Sequence, residues 1–458
     1  MSDELQQKKS HELSELMKRM TDSQMTRRQF VVRATALGFG VTTIGAALAA
    51  CGGTAETTTT AAAATTTTAA AATTTTAAGA TATTAAAATT TTAAAANVKG
   101  VTLNIMAQGV MLSDAIIQKC QEDTGLVLNA TATTEPDMMT RMLTGGAAQY
   151  DVVQGATPYL EPMWAAGVLQ PIPLERVPNC KNLRPQFTDP TAVGTGDDKY
   201  PINVSWLDPD KQTTFKMVPA LWNMEGWGYL STKCPELNKS SDLPYSTMWD
   251  PKYKGHVGIW NDSVWAPGWT AMAMAAKGMM TLSGSPSKLT TAEIDQVMAH
   301  LTTLRKAGQY RTYWDDYGTI VNLMSSAEVW CADCWNPIAS AVNQVTPCTF
   351  VNPTEGARGW MHGMVVSKET KVPDAAFAYI DWCQNGWRMS QIAPMGLYET
   401  TDGNVKNYMP AADYAFWYLG EGRDVGSMEH RLPMINAWVE YPAEPQYQLT
   451  KWLQFLAS

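Results

Sequence analysis

Beyond its first 33 residues the sequence has no cluster of lysine or arginine, and beyond residue 50 it has no uncharged apolar run of 18 or more. The first absence argues against a nucleic-acid partner, the second against a polytopic membrane protein. Residues 1–33 carry a net +2, so of the total charge of −9 the rest of the chain holds −11. An acidic body of that kind repels a phosphate backbone. Catalytic signatures are missing as well: there is no G-x-S-x-G elbow, no phosphate-cradling G-x-x-x-x-G-K-[ST] loop and no zinc spacing. The five histidines include no His-x-x-x-His pair, so neither a metal site nor a cofactor is expected. The 25 prolines and 33 glycines follow no collagen period. What is present is length: 458 residues, 45% of them apolar, suffice for two or three domains with sizeable cores.

The N-terminal region reads as an address. Thr26-Arg27-Arg28-Gln29-Phe30 precedes a Gly- and Ala-rich stretch too small-sided for a stable span, and resembles a twin-arginine export signal with Arg27 and Arg28 as its pair. Leu48-Ala49-Ala50-Cys51 resembles a lipobox, with the Cys51 thiol as the site of lipidation. Residues 1–50 are therefore expected to be a signal peptide. Residues 54–96 are all Ala or Thr except Glu56 and Gly79, with no apolar face to pack, so 51–96 is expected to be a lipidated cysteine followed by a disordered tether. As a flexible coil it reaches roughly 35–40 Å on average. The protein is thus expected on the outer face of the cell membrane, lipid-anchored, in the periplasm or outside the cell.

The body begins near Asn97. "VTLNIMA" (101–107), "LVLNATA" (126–132) and "YDVVQGA" (150–156) read as strands. Between them, 113–125 reads as a helix capped by Ser113 and stopped by Gly125, and 136–144 as a second helix. Strand-helix-strand repeats imply an α/β architecture with parallel strands, whose ligands sit at the strands' carboxyl ends, here near Gln108 and Ala156.

The order of these segments, with "EDTGLVLNAT", "YDVV", "AAGVLQPI", "PNCKNLRPQF", "MWDPKYKG", "SAEVWCADCWN" and "NGWRMSQIAPMGLYETT" in sequence, resembles the extracellular solute-binding proteins of ABC importers, spermidine/putrescine-binding type. The resemblance implies a two-lobe, type II periplasmic-binding-protein-like fold with a hinge. Lobe 1 is expected over 97–217 plus 352–395, and lobe 2 over 218–351 plus 396–458. It further implies a monomer with no catalysis, capturing a small polar or cationic solute, polyamine-like or a methylated ammonium, and delivering it to permease subunits. The alternative is an exported enzyme or redox protein on the same scaffold, or a sensor without transport.

Carried over residue by residue, the resemblance puts Gln108, Gly109 and Val110 where the family has Trp-Thr-Glu, so an amine-pairing carboxylate is lost. Ala156 and Pro158 replace a Ser and a Tyr, while Tyr159 keeps an adjacent aromatic. Asp262 retains a carboxylate, Trp265 takes the place of a Glu, Trp335 and Trp360 are kept, and His362 replaces a further carboxylate. The expected ligand contacts are therefore Gln108, Tyr159, Asp262, Trp265, Trp335, Trp360 and His362, with Asp315 and Trp227 in a second tier. Tryptophan faces beside one carboxylate suit a methylated ammonium, and suit stacked rings almost as well. Asp315-Asp316 also reads as a helix start, its charges near the positive end of the dipole.

Besides Cys51 there are seven cysteines, an odd number, so at least one is unpaired and buried reduced thiols are expected. Cys331-Ala332-Asp333-Cys334 spells C-x-x-C, yet "EVWCADCW" reads as a strand. Residues three apart on a strand lie about 10 Å apart on opposite faces, outside disulfide reach.

Overall fold

The computed structural model describes residues 97–458, apart from 190, 192–198, 241–242, 396, 402, 420–430 and 432–433. Arg27, Arg28, Cys51 and the Ala/Thr tether lie outside the described residues.

The first half follows the expected alternation. Strand β1 (Thr102–Ala107) leads to helix α1 (Asp114–Thr124), β2 (Val127–Ala132), α2 (Glu135–Leu143), β3 (Val152–Ala156) and α3 (Thr157–Ala165). Ser113 takes the N-cap position of α1 without a side-chain hydrogen bond, and Gly125 closes the helix at φ 74°, in the left-handed region where glycine is favoured. Helix α2 starts behind Thr134 with Pro136 in its first turn. β1 pairs in parallel with β2 and with β3.

The chain then runs through β4 (Val218–Met224), crosses at Glu225 and enters β5 (Gly226–Leu230). The next elements are β6 (Val257–Trp260), α4 (Ala266–Ala276), α5 (Thr291–Lys306), β7 (Tyr310–Trp314), α6 (Tyr317–Ser325), β8 (Cys331–Cys334), α7 (Asn336–Asn343) and β9 (Cys348–Val351). It returns in β10 (Ala357–Ser367), α8 (Pro373–Cys383), α9 (Trp387–Ile392), β11 (Tyr398–Glu399), β12 (Ile435–Trp438) and α10 (Pro445–Ala457). Two main sheets result. One runs β11-β4-β10-β3-β1-β2 with β12 also on β10, the other β7-β6-β8-β5-β9.

This topology moves the expected lobe borders. Val218–Met224, placed in the second lobe by the sequence, is buried at all seven positions and pairs with β10 and β11 in the larger sheet. A wholly buried strand needs neighbours on both edges and cover on both faces, and those are in the larger sheet. The crossing therefore falls at Glu225. The C-terminal part divides likewise: β11 and β12 belong to the larger sheet, whereas α10 packs on α5 beside the smaller one.

Cys331–Cys334 is a strand, as its pattern implies. Cys331 packs in one core with Trp227 and Tyr229, Cys334 in another with Ile338 and Val342, so the thiols sit on opposite faces. Burial pushes both thiols well above their ordinary range, the reverse of what a redox pair requires. All seven cysteines among the described residues are unpaired.

At the crossing, Arg358 of β10 meets Glu225, both fully buried, at 2.5 and 2.9 Å. A Cβ on Gly268 would stand 2.1 Å from Arg358 Nη1, so the first turn of α4 has to be glycine there. Glu225→Ala strands a buried guanidinium and is expected to cost about 3–5 kcal/mol, and Gly268→Ala about 1–3 kcal/mol through overpacking. Urea unfolding midpoints check both, and a Gly268→Ala protein as stable as the parent would contradict this packing.

Candidate functional site

Five parallel strands end at one place. The turns after β1, β2, β6, β7 and β8, together with Trp360 and His362 on β10, line a cavity of about 680 Å³ between the two sheets. Carboxyl ends of parallel strands are where α/β folds place ligands, because the turns there are free to carry side chains.

The wall from the smaller sheet is indole. Trp260 lies edge-on to Trp335 at 4.6 Å and tilted against Trp265 at 5.0 Å, and Trp265 in turn faces Trp360 at 6.4 Å between ring centroids. Trp314 backs this group, stacked on Trp260 at 5.6 Å. The indole N–H groups of Trp265 and Trp360 are buried without a partner.

Asp262 bridges the lobes. Its Oδ1 accepts from the Val264 N–H at 2.7 Å, and its Oδ2 accepts from the hydroxyl of Tyr159 on α3 at 2.6 Å. Burial raises this carboxyl to about 6, with Tyr159's donation opposing the rise. Asp316 accepts from the Thr319 N–H at 2.7 Å and caps α6, while Asp315 stands exposed on the cavity wall.

On the other side, Glu135 at the start of α2 is buried. Its Oε1 accepts from the Ala156 N–H at 2.8 Å and lies 3.3 Å from His362 Nε2. The register explains the meeting: His362 on β10 is paired opposite Ala156 on β3. Burial pushes the Glu135 carboxyl up to about 8 and the His362 imidazole down to about 3. Both shifts run in the direction that favours the uncharged pair, a protonated carboxyl beside a neutral imidazole.

Of the residues expected from sequence, Gln108, Asp262, Trp265, Trp335, Trp360, His362 and Asp315 line this cavity together. Tyr159 does not line it but holds Asp262 from behind. Trp227 is a correction: it is fully buried beside Tyr229 in a core of the smaller sheet, away from the cavity. Residues i and i+2 of a strand share a face, and Trp227 shares its face with Tyr229. Sequence reasoning missed Glu135, Trp260 and Tyr317, and preferred a helix start for Asp316.

The sequence profile of the bacterial extracellular solute-binding proteins matches residues 115–390. The chain belongs to that family. Among its relatives is the spermidine/putrescine-binding periplasmic protein of Escherichia coli, 21% identical over 271 residues, which are 58% of this chain and 68% of the relative. A spermidine/putrescine ABC transporter protein of Listeria monocytogenes has a similar structure, with a TM-score of 0.60 at 19% identity over 78% of this chain and 98% of that one. A lipoprotein of Treponema pallidum is also similar, with a TM-score of 0.58 at 15% identity over 77% and 99%. This solute-binding protein thus has the two-lobe α/β fold its sequence implies, and the cavity lies between the lobes. The family, the Escherichia coli relative and the Listeria monocytogenes neighbour are named for solute binding or transport.

Removing the Tyr159 hydroxyl tests the bridge between the lobes. Tyr159→Phe is expected to raise the Asp262 titration midpoint above about 6 and to cost about 1.5–3 kcal/mol, the range for a hydrogen bond to a charged group. Carbon-detected NMR titration of the aspartates reads the first and thermal unfolding the second. An unmoved midpoint would break the assignment of Tyr159 as Asp262's partner.

Proposed function

We propose that this chain is the solute-receiving subunit of an ABC importer, lipid-anchored outside the cell, whose two lobes close on one small amine cation and present it to the permease subunits. The observation that carries this reading is the cavity's lining: Glu135, Asp262, Asp315 and Asp316, with Trp260, Trp265, Trp335 and Trp360, and, among the described residues, no lysine or arginine. An anion entering such a cavity leaves water and gains no counter-charge. An ammonium gains carboxylates, and a methylated one also gains indole faces at roughly 0.5–2 kcal/mol each. Glu135 supplies the carboxyl that the first loop lost, from a different place in the chain. The Escherichia coli relative is named for spermidine and putrescine, solutes of the same charge class.

The mechanism is closure without catalysis or cofactor. A solute touching both walls favours the closed arrangement by its differential affinity for it, and the permease reads that arrangement. One chain suffices for this, so the protein acts as a monomer. Arg27 and Arg28 direct export, Cys51 takes the lipid, and 54–96 holds the body off the membrane. Support for the anchor comes from the Leu48–Cys51 string and from the Treponema pallidum neighbour, itself described as a lipoprotein. Among the described residues no helix is long and apolar enough to cross a membrane.

Thermal unfolding with a panel of solutes tests the charge class. Putrescine, spermidine or choline at a hundred times its dissociation constant is expected to add about 2.7 kcal/mol of stability, while citrate, phosphate and sugars leave the midpoint unmoved. A rise with citrate or phosphate alone would end the cation reading. For the anchor, Cys51→Ala is expected to lose fatty-acid label and leave the membrane fraction, and retention of both would remove the lipid from the account.

A further inference from the structure

Each carboxyl of the cavity except Glu135 is either committed to the fold or exposed. Asp262 accepts from Tyr159 and two backbone N–H groups, Asp316 caps α6, and Asp315 is exposed. Glu135 is 5% exposed and lines the cavity. Its Oε1 meets the Ala156 N–H and His362 Nε2, and among the described residues no hydrogen bond reaches its Oε2.

We infer that Glu135 is the carboxyl that receives the solute's cationic group, and that it gives up a proton to do so, one proton leaving to solvent for each cation captured. This rests on the cationic-solute reading above. The charged and titratable groups around it come from every packed element. Asp262, after β6, adds a like charge, and Tyr159 of α3 adds a neutral hydroxyl. His362 faces it from β10, with the positive charge of Arg388 of α9 near the imidazole. Burial dominates and keeps the proton on the carboxyl up to about 8, while burial and Arg388 keep the imidazole neutral down to about 3. The empty site is therefore neutral at this point. Two forces stand ready to favour the ionised form: the Ala156 N–H at 2.8 Å and the first turn of α2, whose dipole end is positive. An arriving ammonium tips the balance. Carboxylic acid plus cation becomes carboxylate paired with cation, and the proton passes to buffer.

The empty full-length protein gives the sign without a ligand. A carboxyl protonated to about 8 when folded, against an ordinary 4.5, binds its proton more tightly in the folded state, so its contribution to stability is lost as pH rises through 8. His362, neutral when folded, acts in the opposite sense and only below its ordinary 6.5. Asp333, raised to about 8, and Glu399, raised to about 7, bring a fall in unfolding midpoint over the same range to parent and variant alike, so Glu135's own mark is the steeper fall of the parent between about pH 6.5 and 8 relative to Glu135→Gln. Calorimetry of putrescine binding at pH 7, in buffers of different ionisation enthalpy, is expected to count about one proton released by the parent and almost none by Glu135→Gln, with affinity at least tenfold lower in the variant. Equal midpoint profiles, or equal proton counts, overturn the inference. If putrescine gives no heat, the choice of solute falls while the midpoint profiles still decide Glu135's state. Should Glu135→Gln fail to fold, carbon-labelled glutamate in the parent replaces it, with the Glu135 signal identified by its displacement in His362→Gln. A midpoint for that signal below about 5.5 overturns the inference, and one above about 7 supports it.

Discussion

Arg358 and Glu225 meet where the chain passes between the two sheets, and the cavity wall is tied to that meeting. A buried ion pair is a poor source of net stability, because desolvating two charges offsets most of their attraction. What the pair supplies is direction, since the guanidinium presents a rigid fork of donors. Two donors hold Glu225, Nη1 donates to Ser287 Oγ at 3.0 Å, and Nη2 also donates to the Trp265 carbonyl at 2.6 Å. Ser287 passes the connection on to the Trp438 carbonyl of β12. The crossing, the tryptophan wall and the edge of the larger sheet therefore share one network. A change of angle at Glu225 reaches Trp265 through a single side chain.

How legible this was depended on whether the signal was local. Strands β1 to β3 and helices α1 and α2 follow from alternation, caps and the Gly125 stop, all read within a dozen residues. The cavity residues Asp262, Trp265, Trp335, Trp360 and His362 came from family strings, the first three in or beside turns that follow strands and the last two within β10. Trp227 failed because a tryptophan in an apolar run carries no sign of which face it occupies. The border at 217/218 failed because an unbroken apolar run does not say which sheet will pair with it. Glu135 failed for a different reason: Thr134-Glu135-Pro136-Asp137 is ordinary helix-start chemistry, with acids in the first turn. Only the pairing of β3 with β10 brings His362 to it, and register between distant strands is not written in either one.

The tryptophans line the same cavity as Asp262 and Glu135, whose carboxyls burial raises. By offering ring faces they attract the cation that lowers those carboxyls again. The empty cavity carries no charge at Glu135, which limits the desolvation cost there in the absence of a counter-ion. A filled cavity exchanges the Glu135 proton for the solute's positive charge, and the low dielectric that penalised the lone carboxylate then strengthens its pairing.

Long-range charge completes the arrangement. The chain beyond residue 33 carries −11, and of the cavity-lining carboxylates Asp315 and Asp316 are exposed. Cations are drawn toward such a surface and concentrated at a low-dielectric mouth, an effect that fades as salt shortens the Debye length. Attraction at the mouth is indifferent to ligand shape, so it raises the rate of encounter and leaves discrimination to the interior. Discrimination falls to the group that must change state to bind, Glu135 shared with His362. A cation that fits between the tryptophans but does not reach Glu135 gains ring contacts alone, about 0.5–2 kcal/mol apiece.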